Sequence, residues 1–425
     1  MRGAAGQSGR LRGALCAAVG GWLLSSAPGA GAEIVYSDFS GSLDLESRWF
    51  PDPAGYPGQD AGAGSAAVTA TLLVEDAAGR SFTVTPFARY DDTDPRRTHA
   101  DLRRAYALFF GDIGDDLWEL RIGVDQVFWG VTESQHLVDI VNQVDLIEHP
   151  TGEAKLGQPM VRLTRAGDWG TLEVFALTYH RPRTFPGAAG RLRLPVVVDD
   201  GQIVYEHDQA EWHVDLAARY SRSIGSMDLG LSVFDGTSRE PFAELGTEPN
   251  GAAALIQHYG QIRQFGLDAQ WTAGAWLLKV EAIRRAGERN LLGVEAPYAA
   301  AVAGGEYAFY SVFGSSIDVS LIGEWNYDAR DAHALPRRQP MTLQDDLFVA
   351  VRLGFNDVQS TELTVSVLSD RDRNTRVVGA QFARRLSDRW SLQAEAIKLL
   401  EVDPLDLYYP VRQDSFIQAN LVYFF

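Results

Sequence analysis

The chain has a single cysteine, Cys16, and it lies inside an apolar run near the start. The Gly-Ala-Leu before it lacks the order of leucine and two small residues that a lipoprotein site shows. The rest of the chain therefore has no thiol, no disulfide and no thiolate metal site. Long hydrophobic runs are equally scarce. After the run at 13–24 nothing approaches the ~18 continuous apolar residues that a transmembrane helix needs, which excludes a helical membrane protein. Basic residues are in deficit, with 38 Lys and Arg against 56 Asp and Glu and a formal net charge of −18, and this balance argues against nucleic acid as a partner. Catalytic signatures of the GxSxG, HExxH, P-loop and EF-hand kinds are missing. So is any repeated signature of a propeller or solenoid.

What is present begins with an export signal. Arg2, Arg10 and Arg12 precede the apolar run, and Ala30-Gly31-Ala32 offers a small-residue cleavage site before Glu33, so 1–32 reads as a secretory signal peptide. Over its whole length the 425-residue chain is 46% hydrophobic and 11% aromatic, with ten tryptophans among the aromatics. From Glu33 on it is a succession of segments of about ten residues in which apolar and polar side chains alternate, the pattern of strands with one apolar and one polar face. Leu117 to Val127 is typical: Trp118, Leu120, Ile122 and Val124 fall on one face, Glu119, Arg121 and Asp125 on the other. The segments are 39–49, 68–75, 82–90, 99–110, 117–127, 160–165, 171–178, 212–221, 227–233, 265–271, 276–282, 305–313, 317–327, 347–355, 362–368, 376–384, 390–398 and 415–425, about eighteen strands in all.

The connections alternate too. Short links rich in Gly, Ser, Asp and Asn, such as 111–116, 167–168, 223–225 and 272–274, have turn chemistry. Between them lie mostly longer segments, among them 51–65, 128–157, 181–210, 237–258, 287–304, 329–342 and 401–413. Short turns on one rim and long loops on the other predict an all-β transmembrane antiparallel barrel with both termini on the short-turn side. Trp49, Trp212, Trp271 and Trp276 fall near segment ends, where amphipathic rings meet a membrane interface.

The last segment, Ser415 to Phe425, sets Ile417, Ala419, Leu421, Tyr423 and Phe425 on one face and stops on Tyr-Phe-Phe. Together with the signal peptide and the turn-and-loop rhythm, it resembles the porin-like outer-membrane proteins of Gram-negative bacteria, over nearly all of 33–425. That resemblance implies an outer-membrane location and insertion by the barrel-assembly machinery, which reads the terminal Phe. It also implies contacts with membrane lipid and lipopolysaccharide. Eighteen staves match the specific-channel porins and the alginate-export barrel, whose lumens are strongly basic. Val127-Phe128-Trp129-Gly130, Leu137 to Asn142 and Gly236 to Pro241 are similar to uncharacterised members of such families and do not identify a substrate.

The expected function is a channel for passive diffusion of small hydrophilic solutes, with no cofactor and no metal. The alternatives are an export barrel for a polysaccharide or hydrophobic compound, and a non-conducting enzyme or scaffold. His213 with Asp215 is the nearest approach to a catalytic pair, and an ordinary wall position accounts for it as well. Arg181, Arg183, Arg191 and Arg193 in one long loop read as solvated or lipopolysaccharide-facing, or as a substrate funnel. Asp199-Asp200 and Asp345-Asp346 are ordinary solvated carboxylates or a divalent-ion site.

Pore-lining candidates are Arg103, Glu119, Arg121, Asp125, Asp215, Arg219, Asp268, Lys279 and Arg352. Matching outward faces across the hairpins predicts Arg103 opposite Asp125, Arg219 opposite Asp228 and Asp268 opposite Lys279. The same registers put Phe110 beside Trp118, Tyr220 beside Met227 and Trp271 beside Trp276 on the lipid side. In 128–157, Thr132 can cap a short helix with Leu137, Ile140 and Val141 on its apolar side and Glu133, His136 and Asp139 on its polar one. Glu133, His136, Asp139 and Asn142 are then candidates for a constriction, if the helix enters the lumen rather than lying on the rim. Acids on the inward face outnumber bases by about two to one, which predicts weak cation preference unless arginines crowd the narrowest ring. A first prediction concerns the leader: mass spectrometry of protein recovered from outer membranes should show a chain beginning at Glu33, and an uncleaved Met1 chain would contradict it.

Overall fold

A computed structural model describes residues 33–248, 251–289, 294–330 and 343–425; the signal peptide expected at 1–32 lies outside them. The wall begins with β1 (Ile34–Trp49), β2 (Gly62–Asp76), β3 (Ser81–Asp91), β4 (His99–Ile113), β5 (Asp116–Asp125), β6 (Gln158–Gly167) and β7 (Gly170–Leu177). β8 (Val198–Tyr205) leaves the wall, which resumes with β9 (Asp215–Ile224) and β10 (Met227–Thr237). β11 (Phe242–Thr247) and β12 (Ala253–Tyr259) join β8 in a separate three-stranded sheet. The wall then runs through β13 (Gln261–Ala273), β14 (Trp276–Ala286), β15 (Tyr298–Phe309), β16 (Asp318–Asp328), β17 (Asp345–Gly354), β18 (Glu362–Asp370), β19 (Arg376–Arg385), β20 (Trp390–Glu401) and β21 (Phe416–Phe424). These make one 18-stranded antiparallel sheet, closed where β1 pairs with β21.

The barrel is inside out relative to a water-soluble protein. Leu43, Leu45, Leu163, Val174, Leu216, Phe265, Leu321 and Val349 point outward and are exposed. Glu46, Arg48, Arg89, Asp125, Asp268, Glu281 and Glu324 point inward and are buried. A continuous exposed apolar belt of this extent is unstable in water, whereas a bilayer covers it. Gly114, Gly225 and Gly274 each open a two-residue turn at φ of 63–64°, the first central position of a type II′ hairpin.

The observed registers differ from all three predicted ones. Arg219 lies opposite Ser232 and Asp228 opposite Ser223, a slip of four. Asp268 lies opposite Glu281 and Lys279 opposite Gln270, a slip of two. Tyr220 consequently faces Leu231, Trp271 faces Leu278 and Trp276 faces Ala273. Even slips leave each side chain on its face, so alternation does not detect them; the tight turns set them.

The β4–β5 pair is off by one, with Phe110 opposite Glu119 and Gly111 opposite Trp118. The consecutive Leu108-Phe109-Phe110 carries no phase. Arg103 is moreover an extra residue in β4, since Arg104 faces Thr85 while Leu102 faces Pro86. A proline lacks the N–H for the ladder and tolerates a bulge. Asp125 therefore neighbours Arg104, at 3.8 Å, rather than Arg103.

Element boundaries also differ, and the expected helix is absent. β15 starts at Tyr298, not 305, because Ala299-Ala300-Ala301 and Gly304-Gly305 show no alternation. Trp212 belongs to a 3₁₀ turn (Ala210–Trp212) before β9. Residues 128–157 contain no helix; Thr132 caps nothing.

At the seam, Gly41 and Phe425 exchange backbone hydrogen bonds of 3.0 Å, and the Phe425 ring covers Gly41. A Cβ on Gly41 would lie 2.4 Å from the Thr69 carbonyl oxygen and 2.6 Å from that ring. Gly41→Val should therefore cost about 1–3 kcal/mol or more through overpacking. Denaturant unfolding in detergent should show a lowered midpoint, with loss of the compact band on unheated gels; an unchanged midpoint would place the seam elsewhere.

Candidate functional site: the barrel interior

The segment between β5 and β6 turns into the barrel and crosses it. Its apolar side chains Val127, Trp129, Leu137, Val138, Ile140 and Val141 are buried in one cluster with inward residues of seven strands, including Met160, Phe175, Phe234, Ile283 and Val302. Part of the inner wall is small. Ala300 and Val302 of β15 sit in the cluster, and at Gly304 an added Cβ would lie 2.7 Å from the Glu324 side chain.

Polar groups pin the segment at both sides of the lumen. On the far wall, Glu281 of β14 accepts from the backbone N–H groups of Val131 (2.7 Å), Thr132 (3.1 Å) and Val138 (3.2 Å). Glu324 of β16 accepts from those of Glu133 and Ser134, both at 2.8 Å. The Glu133 carboxylate, in turn, receives Lys279 at 2.6 Å and Arg352 at 3.0 Å. Burial opposes ionisation of Glu133, but these two cations hold its carboxyl below the usual range. Toward the return, Glu148 meets Arg89 at 3.0 Å and His149 meets Glu395 of β20 at 2.9 Å.

The other candidates of the segment hold its neck. Asn142 donates to the carbonyls of Asp125 and Leu156 and accepts from the Val127 N–H. Asp139 lies 3.2 Å from Lys155, and burial pushes its carboxyl up. His136 stacks edge-on against Phe128 and stands 3.8 Å from Glu281.

The wall candidates separate into groups. Arg219 forks onto Asp268 at 2.6 and 2.7 Å, with its guanidinium over the Trp129 ring. This removes the repulsion expected where Asp268 and Glu281 stand directly opposite, since Glu281 is taken by the segment's amides. Glu119, Arg121 and Asp125 of β5 form a second group, Arg121 bonding both acids. Arg162 of β6, absent from the predicted lining, faces them and pairs with Glu173. Arg103 stands apart, bonding Asp145 at 2.9 Å. Asp215 is committed to His213, Arg239 and the Thr237 N–H, a structural role.

At the long-loop rim buried ion pairs tie loops and strands together. Arg97 bonds Glu46 and Asp91, and Arg191 bonds Asp414, all buried. The loop arginines are tied down locally: Arg181 bonds Asp101, Arg183 the Arg239 carbonyl, and Arg193 the carbonyls of Ala188 and Leu194. Arg191 and Arg193 are buried and Arg181 and Arg183 half-buried, so the four do not make a freely solvated patch. Their signal in the sequence was charge alone, which does not report partners from other loops.

No family model and no curated protein matches the chain. Among solved structures it is similar to OccAB3 of Acinetobacter baumannii, with a TM-score of 0.52 at 10% identity, over 92% of this chain and 99% of that one. Variants of a Rh. blastica porin align over 92% of this chain and 100% of theirs, at 10% and 11% identity, with TM-scores of 0.43 and 0.44. The likeness to OccAB3 shows the fold, and the inward charges and outward apolar belt agree with it. With eighteen antiparallel strands closed on themselves, the chain is a porin-like transmembrane β-barrel.

Proposed function

We propose that this barrel is an outer-membrane channel for passive diffusion of small hydrophilic solutes, narrowed by the segment at 128–157. The observation that carries the reading is the charged inner wall around a crossing segment that leaves part of the lumen open to solvent. Arg352 and Glu133 keep about a third of their side-chain surface accessible there. An eighteen-strand lumen is too wide for side chains alone to fill. Insertion through an assembly signal in β21, and contact with lipid and lipopolysaccharide around the belt, belong to the same reading. So does a channel role rather than an enzymatic one. The buried ion pairs of the long-loop rim favour a competing reading, a barrel that does not conduct at rest.

Planar-bilayer recording separates the two: the folded protein should give discrete conductance steps, and silent, correctly folded barrels would reject the channel. Deleting residues 133–148 should enlarge the step. Reversal potentials in a salt gradient should show a weak preference for cations, because wall acids exceed bases and Glu133 offsets two of the cations nearest the opening. A clear anion preference would show that unpaired arginines govern.

Glu133 adds a pH dependence. Its pKa is depressed by Lys279 and Arg352, so its strut is intact above the ordinary carboxylate value and is lost as pH falls through the lower folded one. Conductance should hold from neutral pH down to about pH 4 and rise below it. Glu133→Gln should conduct more at neutral pH and lack that rise.

A further inference from the structure

The crossing segment is irregular backbone inside a barrel, and irregular backbone at membrane depth survives only where its polar groups find protein or water. Val131, Thr132, Glu133, Ser134 and Val138 have N–H groups that no helix or ladder takes up. All of these go to two carboxylates of the facing wall. The hydroxyls of Thr132 and Ser134 add contacts of 2.7 Å each. Glu281 is 0% exposed and Glu324 1%, and among the described residues neither has a lysine or arginine within salt-bridge distance. Among the described residues His136, at 3.8 Å, is the one basic group within salt-bridge distance of Glu281.

A buried carboxylate is expensive unless hydrogen bonds replace its water, and runs of converging backbone N–H groups are a fitting replacement. Each half of the contact is therefore unfavourable without the other. The remaining charges nearby are already committed, Lys279 and Arg352 to the Glu133 side chain and Arg219 to Asp268.

From this we infer that Glu281 and Glu324 are the positioning residues of the channel: they hold the crossing segment by its backbone, and so set the open cross-section. The inference rests on the channel reading for its effect on conductance, but not for the position of the segment. Loosening the two carboxylates lets the segment move within the lumen, whereas the eighteen-strand wall stays closed. A glutamine keeps the size of either side chain, retains one acceptor oxygen, and turns an N–H₂ toward backbone donors.

The test uses the full-length barrel carrying Glu281→Gln and Glu324→Gln together, with Glu324→Gln alone as the milder variant should the pair fail to fold. Hydrogen exchange of the amides at 131–138 should quicken by about tenfold or more, while exchange of the wall strands stays unchanged. Single-channel conductance and open-channel noise should rise. Ser134 Oγ and Asn326 Oδ1 are 3.2 Å apart, and the chain's only cysteine is Cys16 in the expected leader. Ser134→Cys with Asn326→Cys on the same background should therefore restore wild-type conductance when oxidised and release it under reductant. Unchanged amide exchange in a folded variant overturns the inference. Faster exchange in a barrel whose wild type does not conduct upholds the positioning role and rejects the channel instead. Faster exchange with unchanged conductance, in a conducting barrel, overturns the link to the cross-section.

Discussion

At membrane depth every backbone N–H and C=O must find a partner inside the protein, and this structure is the consequence of that requirement applied twice. The wall meets it by closing, β1 onto β21, so that no strand edge faces lipid. The crossing segment meets it without secondary structure, by directing its amides into Glu281 and Glu324. In both places the partner lies far away in sequence, which makes the local arrangement conditional on the whole barrel.

Charge inside the barrel follows from the same geometry. A strand with lipid on one side places its polar residues on the other, and antiparallel neighbours then crowd them. The crowding is relieved by pairing along and across strands. Arg219 with Asp268 and Arg162 with Glu173 lie on the wall, while Arg103 with Asp145 and Lys279 with Glu133 join wall to segment. Pairs as buried as these are weak evidence of stability, because desolvation offsets much of the attraction. Their importance here is positional, because they decide where the segment rests and which charges remain open to a solute.

The inner apolar cluster is the less expected part. A wide barrel has no need of a core, yet Phe175, Phe234, Ile283 and Val302 face inward and pack against Trp129, Val138 and Val141. Leu177 of β7 and Ala300 of β15 join them in the cluster, beside inward polar residues such as Glu173 and Glu281, so the lumen has one apolar sector against which the segment packs. The segment thereby contributes to stability as well as to pore size. Its removal would expose that sector to water.

The period-two alternation, the turn residues and the apolar outward faces are local properties, and each strand of the wall was legible from them, as were the two rims. Leu137, Ile140 and Val141 also read correctly as apolar and in need of a partner, though their spacing suggested a helix and the structure has none. Glu281 and Glu324 stood in the sequence as ordinary inward acids, with nothing local to set them apart. Register, the bulge at Arg103, the course of the segment and the partners of the loop arginines came only with the closed barrel. The physical reason is that faces repeat every second residue. A strand slipped by two or four satisfies the sequence equally well, and only the tight turns, the extra residue opposite Pro86 and the contacts across the lumen choose among the alternatives.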